Sequence, residues 1–355
     1  MEKFKIFKNK KILITGHNGF KGSWLSIWLS LLGAKVIGVS LKNKNSNNHF
    51  NLVKKRLNMK SFYCDIRNKK KIEKIILTYK PDFVFHLAAQ SLVYKSILNP
   101  SFTWETNVIG LLNVLESLNK LKKQCIIVIV TSDKCYKNVE QKKGYKETDI
   151  LGGVDPYSAS KASAEILFHS YFKTFIENKN YKIRLCTARA GNVIGGGDWS
   201  KNRLIPDCMN MWLKNKVPKI RNPNSTRPWQ HVLEALSGYL VLALKLSKDK
   251  SINGHSFNFS SNKIKNITVL QFLKKIKKKW PIIKWSIKKN NQFYESSLLQ
   301  LDTLKANSVL NWKARLSLNE TIEFLVNWYK NYKKYPKNIF EVSRQQIHEF
   351  MKKKT

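Results

Sequence analysis

Acidic residues are scarce: 23 Asp and Glu stand against 65 Lys and Arg in 355 positions, a formal net charge of +42. Such an imbalance raises a nucleic-acid or anionic-membrane partner as one reading. The placement of the lysines argues against it. They recur along the whole chain (69–71, 122–123, 277–279) and are not gathered into one basic arm with stacking aromatics. That is the pattern of exposed positions drifting toward Lys, Asn and Ile, so no nucleic-acid partner is expected. Long apolar runs are missing as well. No segment reaches the roughly 18 apolar residues needed to cross a bilayer. The first 11 residues are charged, with no apolar stretch of leader length behind them, so neither a membrane nor export is expected. The five cysteines (Cys64, Cys125, Cys135, Cys186, Cys208) form no CxxC pair. They read as small core residues in a reducing cytoplasm, and no metal site is expected.

What is present is ordered. Short apolar runs at 11–15, 35–39, 61–63, 83–87, 125–131 and 182–188 alternate with helix-compatible stretches that include 21–32, 69–79, 107–120 and 158–172. That rhythm predicts an α/β fold, a doubly wound parallel sheet with helices on both faces. After about Gly191 the pattern turns irregular, punctuated by Gly195, Gly196, Gly197, Pro206, Pro218, Pro223 and Pro228. We read one domain over 1–190 and a smaller mixed α/β region over 191–355. The second would cap the carboxyl edge of the sheet, where ligands bind in such folds, and could return a strand to it. The lysine-rich stretch after Tyr332 reads as surface and partly mobile.

Gly16, Gly19 and Gly22 stand three apart where a strand runs into a turn and then a helix. Glycine there lets the backbone turn tightly and approach a pyrophosphate. The helix N-terminus then offers free N–H groups and a positive dipole to the phosphate oxygens. An ordinary βα turn is the competing reading, and the strand–turn–helix context weighs against it. Gly33 is placed to cap the helix end. No acid follows the second strand (Ser40, Leu41, Lys42) to meet an adenosine ribose, and Lys42 could meet a 2′-phosphate. Asp65 is placed for the adenine edge after the third strand, or as a helix N-cap. Leu87, Ala88, Ala89 and Gln90 close the fourth strand with residues small enough for a cofactor to pass, or simply for close packing.

The apolar run 125–131 ends in Ser132, Asp133 and Lys134, a hydroxyl, a carboxylate and an ammonium side by side. Tyr157 and Lys161 lie four apart, on one face of an expected helix, with Asp155 and Pro156 at its start as cap and first-turn proline. A nearby ammonium favours phenolate and would draw a tyrosine down from about 10 toward a value useful to a general base.

Seven stretches carry a resemblance over nearly the whole chain: TGHNGFKGSW at 15–24, HLAAQ at 86–90, TSDKCY at 131–136, LGGVDPYSASK at 151–161, RAGNVIGGGDW at 189–199, RLIPD at 203–207 and IRNPNSTRPWQH at 220–231. Together they resemble the extended short-chain dehydrogenase/reductase superfamily, and more closely its nucleotide-sugar 4,6-dehydratases. The resemblance implies a Rossmann-type sheet and an internal redox cycle. A hydride leaves sugar C4 for a tightly held, recycled NAD and returns to C6, while water leaves from C6. It implies a nucleotide-sugar substrate, with CDP-glucose favoured, in deoxysugar synthesis for surface polysaccharide such as lipopolysaccharide O-antigen. It further implies a homodimer, or a higher oligomer, built through the Tyr157 helix.

By the same resemblance, Tyr157 takes the 4-OH proton beside Lys161, Ser132 bonds the 4-oxygen, and Asp133 protonates the departing 6-OH. Many dTDP-sugar dehydratases carry Thr-Asp-Glu at 132–134 and use the Glu to remove the C5 proton. Ser-Asp-Lys resembles the CDP-glucose branch. Lys134 is then a base if burial keeps it neutral, or a cation that steadies the enolate. The implied cofactor contacts are Gly16, Asn18, Gly19, Phe20, Lys21, Gly22, Asp65, Ile66, Leu87, Ala88, Ala89, Gln90, Thr106, Tyr157 and Lys161. Asn192, Arg203, Arg221, Arg227 and Trp229 would hold the substrate, arginine suiting a diphosphate through its bidentate fork. A 4-epimerase on the same fold is the nearest rival. It needs only Tyr, Lys and cofactor, and a small neutral residue would suit it where Asp133 stands.

Overall fold

The computed structural model describes residues 2–43, 45–141, 143–179, 182–261, 267–288 and 299–353. Seven strands make the main sheet: β1 (Lys11–Thr15), β2 (Lys35–Ser40), β3 (Met59–Tyr63), β4 (Phe83–His86), β5 (Cys125–Val130), β6 (Ile183–Arg189) and β7 (Ser256–Asn258). Their order is β7-β6-β5-β4-β1-β2-β3, and all six pairings are parallel. The order reverses between β1 and β4, which opens a crevice at the carboxyl ends of those strands. β5, CIIVIV, is buried at every position, as expected of a central strand covered on both faces.

Alternation sorts side chains to the two faces. Ile12 and Ile14 enter one core with Trp24 and Trp28 of α1 (Phe20–Leu31). Leu13 enters the other with Ile72 and Ile76 of α2 (Lys69–Tyr79), Leu111 and Leu115 of α3 (Gly110–Asn119) and Phe168 of α4 (Pro156–Tyr171). α1 ends as the glycine spacing requires, with Gly33 just past it at φ +77°. α4 begins with a capping box between Asp155 and Ser158 and with Pro156 in its first turn.

The structure departs from the sequence reading in two places. The helix expected from residue 107 starts at Gly110, after a π-helical turn over Glu105–Ile109 that buries Thr106 and Asn107. The end of the chain is also no loose surface tail. α5 (Leu204–Leu213), α6 (Val232–Lys248) and α7 (Leu318–Lys334) are followed by α8 (Ile339–Lys352), which buries Ile339, Ile347 and Phe350. Phe350 meets Trp28 of α1 edge-on at 5.7 Å. Apolar residues at helical spacing fix this segment among the exposed lysines. β7 comes from the C-terminal half of the chain, and α6 lies against β5 and β6. No helix among the described residues is long and apolar enough to cross a membrane.

Candidate active site

The phosphate loop is held tightly against the sheet. Gly16 takes φ +75°, and its N–H donates to Val39 O at 2.7 Å. A Cβ on it would stand 2.8 Å from Ala88 N and 2.9 Å from the carbonyl carbon of Leu87. A Cβ on Gly22 would stand 2.1 Å from Gly16 O. Gly19 is the N-cap of α1 and has no side-chain cap, so the first N–H groups of the helix are left for an anion. Among the described residues, the buried hydroxyls of Thr106 and of Ser40 at the end of β2 have no partner. A backbone cradle that only glycine fits, beside buried hydroxyls that lack partners, matches what a dinucleotide demands.

Several residues assigned to the cofactor also make contacts within the chain. Asn18 donates to Leu41 O at 2.6 Å and ties the loop to the end of β2. The Gln90 amide donates to Leu92 O and Thr103 Oγ1, both at 3.0 Å. Asp65 receives the Arg67 guanidinium at 2.8 Å, and Asn68, not Asp65, caps α2. Ile66 packs into the space above Gly110. His17 stands over Gly38, bonded to Ser61 at 2.6 Å, and burial pushes its imidazole down to about 4.

At the end of β5, Ser132 caps a single 3-10 turn over Asp133–Cys135 by accepting from Lys134 N at 3.2 Å. Its hydroxyl donates to Asp133 Oδ1 at 2.9 Å. Ser132 and Asp133 are each 5% exposed and Tyr157 is 7% exposed. Tyr157 lies beside Ser132, which favours its phenolate. The structure therefore brings Tyr157, Ser132 and Asp133 together in one buried cluster. Lys134, by contrast, is only partly buried, and its flexible stem leaves the ammonium within reach of water.

The expected effect of Lys161 on Tyr157 is not found. Burial pushes the phenol up, and among its neighbours Ser132 and Arg203 oppose that shift. Lys161 instead points at Val130 O, 3.4 Å away. Burial lowers Lys161 to about 8, against the pull of Glu165 one helical turn on. The i, i+4 spacing puts the two residues on one face, but desolvation dominates where the pair does not touch.

One residue assigned to the cofactor also serves the cleft, and one group escaped the sequence reading. Lys21 sends its ammonium into the cleft, 3.2 Å from the hydroxyl of the fully buried Tyr239. Burial lowers it to about 7, with Arg203 and Lys161 pushing the same way and Asp133 and Asp198 opposing. The Gly-x-x-Gly-x-Lys-Gly spelling held this residue in plain view, but the motif's phosphate logic drew it to the loop. Lys21→Met tests the placement. The unfolded chain keeps the lysine proton up to 10.5, whereas the folded protein releases it near 7. Stability of the cofactor-free protein should therefore rise with pH across that window. The variant should lose this rise and be the more stable protein at the low end. Chemical unfolding at several pH values reads it, and parallel curves would contradict the buried ammonium.

The group that the sequence reading missed is Glu165, buried under Lys161. It accepts from Arg189 Nη2 at 2.8 Å, Thr187 Oγ1 at 2.9 Å and Ser256 Oγ at 3.1 Å, and from Thr131. Tyr157, Lys161 and Glu165 recur at a spacing of four, which was the available signal.

The residues assigned to substrate divide. Asn192, at φ +50°, donates to Asp133 Oδ2 at 3.5 Å. Arg203 lies between Asp198 (3.7 Å) and Ser91 O (3.3 Å), with its side chain 40% exposed. Arg221 is exposed, and Arg227 donates to Thr226 O at 2.8 Å. Trp229 does not face the cleft: it is buried in the core against Phe272, with ring centroids 4.2 Å apart. Among the described residues no group of three or more His, Cys, Asp or Glu could hold a metal ion.

A glycine cradle at the β1–α1 turn, with a buried Tyr and Lys one helical turn apart at the switch point of a parallel sheet, defines the dinucleotide-dependent class of short-chain dehydrogenase/reductase folds. Residues 13–325 match the family model of GDP-mannose 4,6-dehydratase, and the chain belongs to that family. It is 41% identical over 328 residues to a CDP-glucose 4,6-dehydratase of Salmonella typhimurium, covering 91% of each. Its fold matches an epimerase of Methanothermobacter thermautotrophicus with a TM-score of 0.80, at 23% identity and 97% coverage of both chains. A dTDP-glucose 4,6-dehydratase of Bacillus anthracis solved with NAD matches with a TM-score of 0.75, at 22% identity, over 93% of this chain and 99% of that one.

Proposed function

We propose that this chain is a nucleotide-sugar 4,6-dehydratase that converts CDP-glucose to CDP-4-keto-6-deoxyglucose and water. The observation that carries dehydration over epimerisation is the buried Asp133 carboxylate, which accepts from Ser132 in the same cluster as Tyr157. Epimerisation requires no acid there, whereas expelling a hydroxyl does. The 41% identity to a CDP-glucose enzyme supports CDP as the nucleotide.

NAD, when bound, would supply reversible hydride acceptance for the sugar. The α1 N-terminus with Gly16, Gly19 and Gly22 would hold its pyrophosphate, and Thr106, Tyr157 and Lys161 would line its path. Tyr157 and Ser132 orient the sugar 4-oxygen, and Asp133 reaches the 6-hydroxyl. Lys134, still in touch with water, fits the cationic role beside the developing enolate better than that of a neutral base. Arg203, Arg221 and Arg227 are the cations available to the diphosphate, with Asn192 at the sugar end. We assign 1–190 to the cofactor and 191–355 mainly to the nucleotide sugar.

The five buried, unpaired thiols support a reducing cytoplasm. Exposed apolar side chains on adjoining helices (Trp104, Ile109, Ile166 and Phe175) support a homodimer across α4. A monomer in sedimentation would exclude it. The deciding experiment is product analysis with CDP-, dTDP-, UDP- and GDP-glucose, with and without added NAD. A 4-keto-6-deoxy product from CDP-glucose is expected. Turnover of dTDP-glucose in preference would overturn the nucleotide assignment, and a C4 epimer as the product would overturn dehydration.

A further inference from the structure

The role assigned to Asp133 needs its carboxylate held in one place, and the turn that carries it fixes only one oxygen. Ser132 donates to Oδ1 at 2.9 Å, which leaves the carboxyl free to swing about that contact. The other side is closed by backbone from a different strand. Gly191 lies two residues past the end of β6. A Cβ on it would stand 1.7 Å from Asp133 Oδ2, 2.0 Å from Cγ and 2.4 Å from Oδ1. The whole carboxyl group therefore rests on the Gly191 backbone. That backbone is not left-handed, so the carboxylate, and not the conformation of the chain, is what requires glycine here.

This wall is itself held by one residue. Gln230 is 0% exposed. Its side-chain amide donates to Gly191 O at 3.0 Å and to Phe259 O at 2.9 Å. An amide nitrogen has two hydrogens to give, and both are engaged. The backbone N–H of Gln230 donates to Asn192 O at 3.1 Å, and Asn192 in turn donates to Asp133 Oδ2 at 3.5 Å. Parallel pairing of Gln230 with Val193 and of His231 with Ile194 continues the attachment. One buried glutamine thus ties the chain beyond β6 to the chain beyond β7, directly behind the acid.

We propose, resting on the dehydratase reading, that Gly191 and Gln230 are positioning residues for the acid: Gln230 fixes the Gly191 backbone, and that backbone holds the Asp133 carboxylate where the 6-hydroxyl departs. Gln230, fully buried, reaches the acid only through Gly191 and Asn192. The effect falls on the second half of the reaction. Oxidation at C4 depends on Tyr157 and Ser132, which neither residue touches. Loss of water at C6 depends on Asp133. Displacing that carboxylate by about 1 Å is enough to slow its step by about 10²-fold, while oxidation keeps all its groups.

The test follows the purified holoenzyme with CDP-glucose by nicotinamide absorbance and by product. Gly191→Ala is the direct probe, because its methyl would strike the end of a side chain that can rotate away. It should lower kcat by about 10²-fold with KM nearly unchanged. A larger share of the bound nicotinamide should stand reduced at steady state, since oxidation proceeds and water loss lags. Gln230→Met keeps the volume and removes the side-chain donors while leaving Gly191 in place, and it should show the same signature to a smaller degree. CDP-6-deoxy-6-fluoroglucose supplies a second readout. Fluoride leaves with less need of a proton than hydroxide, so both variants should come within a few-fold of the wild type on it. Unchanged kcat in both variants overturns the positioning alone. So does an equal loss on both substrates with no rise in reduced nicotinamide, which is what damage to the fold would produce. Absence of both reduced nicotinamide and a 4-keto-6-deoxy product from wild type with CDP-glucose overturns the dehydratase reading, and the positioning with it.

Discussion

Tyr157→Phe should lower kcat with CDP-glucose by roughly 10²- to 10⁴-fold, the range general acid–base groups contribute, and leave KM nearly unchanged. The ring stays, so packing at the start of α4 is kept. The helix is fixed there by Asp155, which accepts from the backbone N–H groups of Tyr157 and Ser158 at 2.9 and 3.0 Å, independently of the phenol. What is lost is the hydroxyl that lies beside Ser132. The 4-oxygen then has no group to take its proton as C4 is oxidised. That contact matters most in the transition state, which is why the effect should fall on kcat. Steady-state kinetics beside a thermal melt separate the possibilities. A variant within a few-fold of the wild type would remove Tyr157 from the chemistry, and a lowered melting temperature would move it to the fold.

Glu165→Ala should be the most destabilising single change near the site, by about 3–5 kcal/mol, the cost of leaving one partner of a buried ion pair alone. The side chains of Glu165 and Arg189 are 0% and 1% exposed. Burial alone would raise the Glu165 carboxyl, but Arg189 and the hydroxyls of Thr131 and Thr187 hold it below its ordinary 4.5. Its contribution is therefore complete above the unfolded value and is lost as pH falls through the folded one. The gap between wild type and variant should narrow as the solution is acidified. Glu165→Leu combined with Arg189→Met should cost less than Glu165→Ala alone, because no charge is stranded. Denaturant unfolding of the three proteins at neutral and acid pH would decide it. A double variant less stable than the single would show that the pair itself, and not the stranded guanidinium, carries the energy.

Of the six strands legible in the sequence, all but the edge strand β3 are buried almost throughout, their side chains satisfying two apolar faces. β5 is the clearest case, since its six consecutive apolar residues are all buried. A returning strand was expected, but the place of β7 went unseen because three residues, Ser256, Phe257 and Asn258, carry too little period to register, and two of them are polar for a purpose. Ser256 serves Glu165, and Asn258 accepts from the Tyr136 hydroxyl at 2.8 Å. The glycine loop and the Tyr157 cap were legible because their chemistry is local. Burial is not local. The shift of Tyr157 runs upward where charge spacing alone suggested downward, and Trp229, which stands in a motif full of arginine, packs into the core. The end of the chain misled for the opposite reason: exposed lysines hid the few apolar residues of α8 that anchor it to Trp28.

The late return of β7 to the edge of β6 has a consequence for how the chain comes into being. A nascent chain that has emerged only as far as residue 190 would present β6 as a bare edge, with backbone groups unpaired and open to any other strand. Its Arg189 would hold Glu165 but lack Ser256 and Asn258, the residues that complete the network from the other side. The cofactor half is therefore not sealed until more than sixty further residues have been made, and the two halves mature together, with the second acting as the closing clasp of the first.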